Sequence, residues 1–425
     1  MRKMELNEQK HSQAAILGLQ HLLAMYSGSI LVPIMIASAL NYSSEQLTYL
    51  ISTDIFMCGI ATFLQVQLRK HFGVGLPVVL GVAFQSVAPL SIIGAKHGSG
   101  TMFGALIASG IFVIAIAGVF SKIAQFFPPI VTGSVITTIG LTLISVAVGN
   151  MGDNAKSPSA TSLVLSLLTI AIILLLHKFT TGFIKSISIL IGLIVGTVVA
   201  AFMGLVDFSA VAEAPIVHVP TPFYFGMPKF ELSSIVMMCI IAVVSLVEST
   251  GVYLALADIT GETLDSKRLR NGYRAEGFAV LLGSIFNTFP YTGFSQNVGL
   301  VQLSGIRTRR PICYTALFLV ILGLLPKFGA LAQMIPSPVL GGGMLVMFGM
   351  VSVQGIQILN SVDFKNNEHN LIIAAVSIAA GVGFNGTNLF NSLPTNAQMF
   401  LTNGIVIATL CSITLNLLFN GKESK

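Results

Sequence analysis

The sequence predicts an all-α membrane protein. It has 14 transmembrane segments in two inverted 7-segment repeats, with two short strand/half-helix segments near 76–94 and 289–304. Three observations predict this fold: the composition, the distribution of Lys and Arg, and an internal repeat. Of 425 residues, 54% are of hydrophobic type and 9% are charged, against about 25% charged in an ordinary soluble domain. So few charges cannot cover the surface of a soluble protein of this size, which excludes a soluble enzyme. At about 20 apolar residues per crossing, the chain has room for many spans and little else.

Uncharged or nearly uncharged stretches fall near 14–39, 46–66, 76–94, 101–121, 129–149, 162–177, 186–204, 232–256, 275–288, 289–304, 311–326, 337–356, 369–383 and 400–420. The first follows Arg2, Lys3 and Lys10 and is longer than the roughly 7–15 residues of a signal-peptide core, so it is expected to remain in the mature protein. Two stretches make poor continuous helices. The third contains Pro77, Gly81 and Pro89 among β-branched residues, and the tenth opens with FPYTGFSQN. Both read as a short extended piece followed by a half helix.

Placing both termini in the cytoplasm puts 18 Lys and Arg residues inside and four outside, namely Lys96, Lys156, Lys229 and Lys327. Adding or dropping one span would destroy this asymmetry. The formal net charge of +6 therefore belongs to loops facing anionic lipid, and no nucleic-acid partner is expected. Cys58, Cys239, Cys313 and Cys411 lie singly in apolar runs, which suggests neither a disulfide framework nor a metal site.

A repeat appears at a separation near 209 residues, where Pro129, Gly133 and Gly140 match Pro338, Gly342 and Gly349. Phe84-Gln85 and Phe294-Ser295-Gln296 occupy the two interrupted segments at a similar offset. With an odd number of spans per half, the second copy enters the bilayer inverted. Broken helices in both halves point to a transport site, since half-helix N-termini offer free N–H groups near the midplane.

Glu248 lies well inside the segment 232–256, where a carboxylate costs about 3 kcal/mol on insertion scales and is a functional residue by default. It is expected to gain and lose a proton during transport. Gln296 presents an amide donor and acceptor side by side, matching the N–H and C=O of a lactam-type base. Asn297 either caps the half helix or supports the site. Phe84 could cover a planar ring or simply pack. His21, near the middle of the first span, is either a packing residue or a group that holds a partner. Glu276 reads as a helix N-terminal acid beside Arg274 or as a support for Gln296, while Asp54 reads mainly as structural, bonded to near neighbours.

At these residues the sequence resembles the nucleobase–ascorbate transporter family, also called nucleobase:cation symporter-2, over nearly the whole chain. QNVGLVQLSG (296–305) is similar to the family signature Gln/Glu/Pro-Asn-x-Gly-x4-Thr-Arg/Lys/Gly, with Ser304 in place of the usual Thr; Gln20-His21 and ESTG at 248–251 support the match. The resemblance implies a core domain (14–122 and 230–326), a gate domain (127–205 and 335–420) and a homodimer formed through the gate. Gln at the first signature position goes with xanthine and uric acid carriers, Glu with uracil carriers and Pro with ascorbate carriers. Val252 stands where uracil relatives carry His and some xanthine relatives an acid, so the support of Glu248 differs here.

The expected activity is proton-coupled uptake of xanthine, with uric acid as an alternative purine, across a bacterial cytoplasmic membrane, and no cofactor beyond the proton gradient. In the expected site Glu248 and Gln296 hydrogen-bond the base, Phe84 packs on its ring, Phe294 and Ser295 line it from the second broken segment, and His21, Asn297 and Glu276 hold the geometry. Another nucleobase such as uracil is one alternative. A second is an anion transporter or channel of sulfate-carrier-like fold, which predicts a basic residue near the break and a soluble domain after the last span; only six residues follow Phe419. An integral-membrane enzyme would need clustered acidic or His ligands, which the sequence does not offer.

Overall fold

Hydrocarbon offers no water to the backbone, so a membrane chain pairs its N–H and C=O groups within helices or inside protein. The computed structural model, which describes residues 11–67, 70–123, 128–155, 157–305 and 307–421, follows that rule. In the first half come α1 (His11–Ser29), α2 (Leu31–Leu40), α3 (Ser44–Val66), β1 (Leu80–Val82), a 3-10 turn (Phe84–Ser86), α4 (Val87–His97), α5 (Ser99–Ile123), α6 (Pro129–Met151), α7 (Ala160–Phe179), α8 (Gly182–Ser186) and α9 (Ser188–Phe202). A short α10 (Ser209–Glu213) precedes α11 (Leu232–Thr260), α12 (Ser266–Ile285), β2 (Tyr291–Gly293), α13 (Ser295–Ser304), α14 (Arg310–Gly323), α15 (Pro326–Gln333), α16 (Ser337–Leu359), α17 (Glu368–Phe384), α18 (Thr395–Leu401) and α19 (Gly404–Asn420).

Seven helical stretches among the described residues are long and apolar enough to cross a bilayer, with α1 and α2 forming one of them. The pair α14–α15, bent by 80° where Pro326 opens the second helix, makes an eighth if it is one span, and α9, α17 and α19 are shorter apolar helices. A count of fourteen would also need α12 and the two broken segments. The step between α1 and α2 has a local cause, since Pro33 cannot donate to the carbonyl of Ser29. Large apolar side chains such as Val119, Leu167, Phe202 and Leu418 stand exposed on the outer faces, as lipid contact requires.

One boundary departs from the sequence expectation. The span expected at 275–288 belongs to α12, which starts at Ser266 and runs through the basic cluster from Lys267 to Arg274. A hydropathy window stops at those charges, whereas the helix begins at its cap: the Asp265 carboxylate accepts the Arg268 N–H at 2.7 Å. Arg268 then reaches Glu262 at 2.7 Å and the carbonyl of Val74 at 3.1 Å. Of the basic residues counted for topology, Arg2, Lys3, Lys10, Arg69, Lys156, Lys422 and Lys425 lie outside the described residues.

The repeat is visible as packing. The repeat-related strands β1 and β2 pair antiparallel, with Leu80 opposite Gly293, Gly81 opposite Thr292 and Val82 opposite Tyr291. Each break thereby satisfies the backbone of the other. The repeat-related helices α6 and α16 also run antiparallel in close contact: Gly133 meets Gly355, Gly140 meets Ser352 and Phe348, and Gly341 meets Ala147 and Met151. Three polar residues of α6, Ser134, Thr138 and Thr142, satisfy themselves by donating back to carbonyls one turn earlier at 2.7–2.9 Å. Helices α6, α7 and α9 pack with α16, α17 and α19, while α1 to α5 pack with α11, α12, α14 and α15.

Helix α11 is anchored outside the hydrocarbon by Glu231, which accepts the N–H groups of Ser233 and Ser234 at 3.0 and 2.7 Å and the Ser233 hydroxyl at 2.6 Å. Partial burial works against the carboxylate, but these bonds outweigh it and bring its pKa down to about 2. A depressed folded-state pKa gives stability that is full above the ordinary carboxylate range and is lost only as pH falls through about 2.

Two outcomes are expected for the purified protein in detergent. Glu231→Ala costs about 1 kcal/mol and lowers the thermal unfolding midpoint nearly equally at pH 5 and pH 7; a loss confined to pH 7 would contradict the cap. At Gly140 a Cβ would fall 2.4 Å from the Ser352 nitrogen, so Gly140→Val overpacks the α6–α16 seam by about 1–3 kcal/mol and lowers the same midpoint. An unchanged midpoint would mean that the helices are not in contact there.

Candidate functional site

Ser245, Glu248, Ser249 and Val252 recur on α11 at the spacing that puts them on one helical face. That face meets both broken segments. Gln85, in the 3-10 turn after β1, donates from Nε2 to Ser245 Oγ and to Glu248 Oε2, each at 2.9 Å. Thr292, in the middle of β2, donates to Glu248 Oε2 at 3.1 Å. Gly293 donates its N–H to Ser249 Oγ at 2.9 Å and seats against Val252. Glu248 is half-buried, and its Oε2 has these two donors while no described residue bonds Oε1. One carboxylate oxygen is thus held in place and the other is free to accept N–H groups from a ligand.

The second half helix carries the remaining expected residues. Asn297 is buried in its first turn, with its amide nitrogen 3.0 Å from His21 Nδ1 and donating to the His21 carbonyl at 3.1 Å. Phe84 is buried and meets Phe348 of α16 edge-on, with ring centroids 5.5 Å apart. Phe294 fills the space between two glycines; a Cβ at Gly28 or Gly81 would lie 2.5 or 2.4 Å from its ring. Its ring is therefore committed to protein, and its backbone N–H and C=O are bonded to Val79 and Asn297. Ser295 donates to Gln354 of α16 at 3.1 Å and to Gln296 at 3.4 Å. Ser295, Gln296 and Gln354 line a cavity of about 600 Å³ whose other walls come mainly from α16. That volume is within the range of small-molecule pockets. Glu248 is not on its wall. It meets the same broken segment at Thr292, one helical turn's worth of chain before Gln296.

Two expectations are corrected. Glu276 is neither a helix N-terminal acid nor a support for Gln296: it lies in the middle of α12, buried, with Oε1 accepting the hydroxyls of Ser249 and, at 2.9 Å, Tyr253. The cause is the early start of α12, which carries Glu276 past the span entry and against α11. Asp54 does not bond its near neighbours; its Oδ1 accepts the Phe289 N–H at 3.2 Å, which ties α3 to the approach of β2.

Gln85, Thr292 and Ser249 make contacts that sequence reasoning did not assign. The available signal was their position, since polar residues at helix breaks or one place from an intramembrane acid have few other roles. Among the described residues no group of three or more His, Cys, Asp and Glu converges to hold a metal ion.

Comparison with known proteins gives concordant findings. The profile of the Permease family matches residues 12–388. The chain is 51% identical over 408 residues to the "Xanthine permease" of Bacillus subtilis (strain 168), covering 95% of this chain and 93% of that one. It is 52% identical over 415 residues to the "Uric acid permease PucK" of the same organism, covering 97% and 96%. In fold it is similar to the transmembrane domain of the cyanobacterial bicarbonate transporter BicA, with TM-score 0.61 and 15% identity over 96% of this chain and 98% of that one.

Asn297→Ala leaves the buried His21 Nδ1 without its donor, which costs about 1–3 kcal/mol. The expected result is a lower thermal midpoint in detergent at unchanged expression. A midpoint equal to that of the parent would mean that the α1–α13 contact carries no stability.

Proposed function

The chain belongs to the nucleobase–ascorbate transporter family, a family of permeases and not of enzymes, and from that premise we propose that it is a proton-coupled importer of xanthine that also accepts uric acid. The observation that carries this reading is the arrangement around Glu248. A carboxylate with no cationic partner among the described residues stands where both broken segments meet, one oxygen tied to Gln85 and Thr292 and the other open. An acceptor of that kind suits the N–H edge of an oxopurine, while the Gln296 amide on the same broken segment offers a donor and an acceptor to a neighbouring N–H and C=O. The similarity to a xanthine permease and to a uric acid permease at nearly equal identity favours an oxidised purine and supports both substrates.

In this reading Glu248 and Gln296 hydrogen-bond the base and Phe84 packs on its ring. Phe294 and Ser295 shape the second broken segment, and His21 with Asn297 holds the half helix in register. Fourteen crossings divide into the core (14–122 and 230–326) and the gate (127–205 and 335–420). Movement of the core against the gate exposes the site to each side in turn. Two such chains pair through their gates in the cytoplasmic membrane, with both termini in the cytoplasm. The proton gradient is the energy source and no bound cofactor takes part. The sulfate-carrier-like alternative draws on fold alone, at 15% identity.

The test is uptake of radiolabelled xanthine in bacteria lacking their own purine carriers, with uric acid, uracil, guanine and hypoxanthine as competitors and a protonophore control. Uptake that uric acid competes and the protonophore abolishes is expected; uptake of uracil in preference to both purines would contradict the assignment. Gln85→Leu, which removes a charge-assisted bond worth about 1.5–3 kcal/mol, should reduce xanthine uptake about tenfold to a hundredfold. Unchanged uptake would mean that Glu248 needs no orientation by the first broken segment.

A further inference from the structure

Glu248 is not the only acid in this network. From its bonded oxygen, Oε2, a continuous run of hydroxyls leads away from the open side of the site: Thr292 Oγ1 at 3.1 Å, then Ser249 Oγ a further 3.1 Å on, and Ser249 donates to Oε1 of Glu276. Each atom in the run is fixed independently. The Gly293 N–H holds Ser249 Oγ at 2.9 Å, β-pairing with Gly81 holds Thr292, and Tyr253 donates to Glu276 Oε1 at 2.9 Å. Glu276 is 2% exposed and its Oε2 has no partner among the described residues, a position that costs a neutral carboxylic acid far less than a carboxylate. No Lys, Arg or His side chain among the described residues pairs with either acid. Two carboxylates joined through two hydroxyls, without a cation, do not both ionise at modest cost.

We infer that Glu248 and Glu276 share one proton, passed between them through the hydroxyls of Thr292 and Ser249. The inference rests on the reading of the chain as a proton-coupled purine importer and adds where the proton sits while the purine is bound. The transfer balances as three coupled hops. The acid O–H of Glu248 gives its proton to Thr292 Oγ1, the Thr292 proton moves to Ser249 Oγ, and the Ser249 proton moves to Glu276 Oε1. Glu248 becomes a carboxylate and Glu276 a carboxylic acid, and the two hydroxyls are left donating towards Glu248, the arrangement from which the reverse hops return the proton. The consequence is an order of events. A proton arriving at Glu248 is moved to Glu276, which restores Glu248 as an anionic acceptor for the purine N–H groups. Proton and purine are then carried together on separate groups, and on the far side the proton returns to Glu248 after the purine leaves. Ser249 and Thr292 are positioning and relay residues, and neither needs to touch the purine.

Proteoliposomes holding the full-length protein test this with two measurements on one preparation. Exchange of radiolabelled xanthine against internal xanthine without a gradient requires binding and conformational movement alone, whereas accumulation driven by an imposed pH gradient requires net proton transfer. For Ser249→Ala, accumulation should fall at least tenfold more than exchange, and Ser249→Thr, which restores a hydroxyl, should recover it. Thr292→Val should give the same imbalance and serves if Ser249→Ala fails to reconstitute. Equal losses in both assays, or gradient-driven accumulation by Ser249→Ala at the parental level, would overturn the relay. If the parent protein itself exchanges xanthine but shows no gradient-driven accumulation, the proton-coupled reading fails first and independently of the relay.

Discussion

The constraint on which the structure depends is that two stretches of non-helical backbone must be paired inside the bilayer. Unpaired N–H and C=O groups cost several kcal/mol each in hydrocarbon. The chain meets this by giving each break to the other: β1 and β2 pair antiparallel, Ala83 donates to the Pro290 carbonyl at 2.8 Å, and Phe294 donates to the Val79 carbonyl at 2.9 Å. Close approach requires glycine at Gly81, which lies against the Phe294 ring, and at Gly293, which lies against Val252. Once the strands pair, Gln85 and Thr292 must lie on the same side of the junction, and α11 runs past them with Ser245, Glu248 and Ser249 facing inward. The polar centre of the molecule is thus a by-product of satisfying two breaks.

That centre is costly to maintain. Acids in an apolar interior are tolerated where hydrogen bonds replace water, and here one oxygen of each is held: by Gln85 and Thr292 in Glu248, by Ser249 and Tyr253 in Glu276, and by the Phe289 N–H in Asp54. The absence of a cation from these sets, among the described residues, separates the network from a structural salt bridge. A paired acid would be locked in one charge state, whereas acids held by amides and hydroxyls can change theirs. Elsewhere the molecule economises on polarity. The α6–α16 seam is built largely from glycines, which let two helices approach closely.

Much of this was legible in the sequence. Membrane class follows from the scarcity of charge, and the two breaks follow from Pro and Gly among β-branched residues at matched offsets. The intramembrane position of Glu248 follows from hydropathy. The start of α12 was not legible, since the basic turn from Lys267 to Arg274 looks like a loop unless Asp265 is recognised as its cap. The partner of Glu248 was not legible either: Gln85 lies 163 residues away in sequence, and no local pattern encodes a contact created by strand pairing between repeats. Phe294 was read as a site aromatic because of its place in the break, while its ring answers to Gly28 and Gly81, a contact invisible without coordinates.

Retaining the acid's shape while removing its charge tests the role of Glu248 most directly. Glu248→Gln keeps a side chain that can bond Gln85 and Thr292 but cannot bind and release a proton. Concentrative uptake of radiolabelled xanthine by cells carrying this variant, at protein levels matched to the parent, is the decisive measurement. Internal xanthine is expected never to exceed the external concentration. Full uphill accumulation by the variant would contradict it.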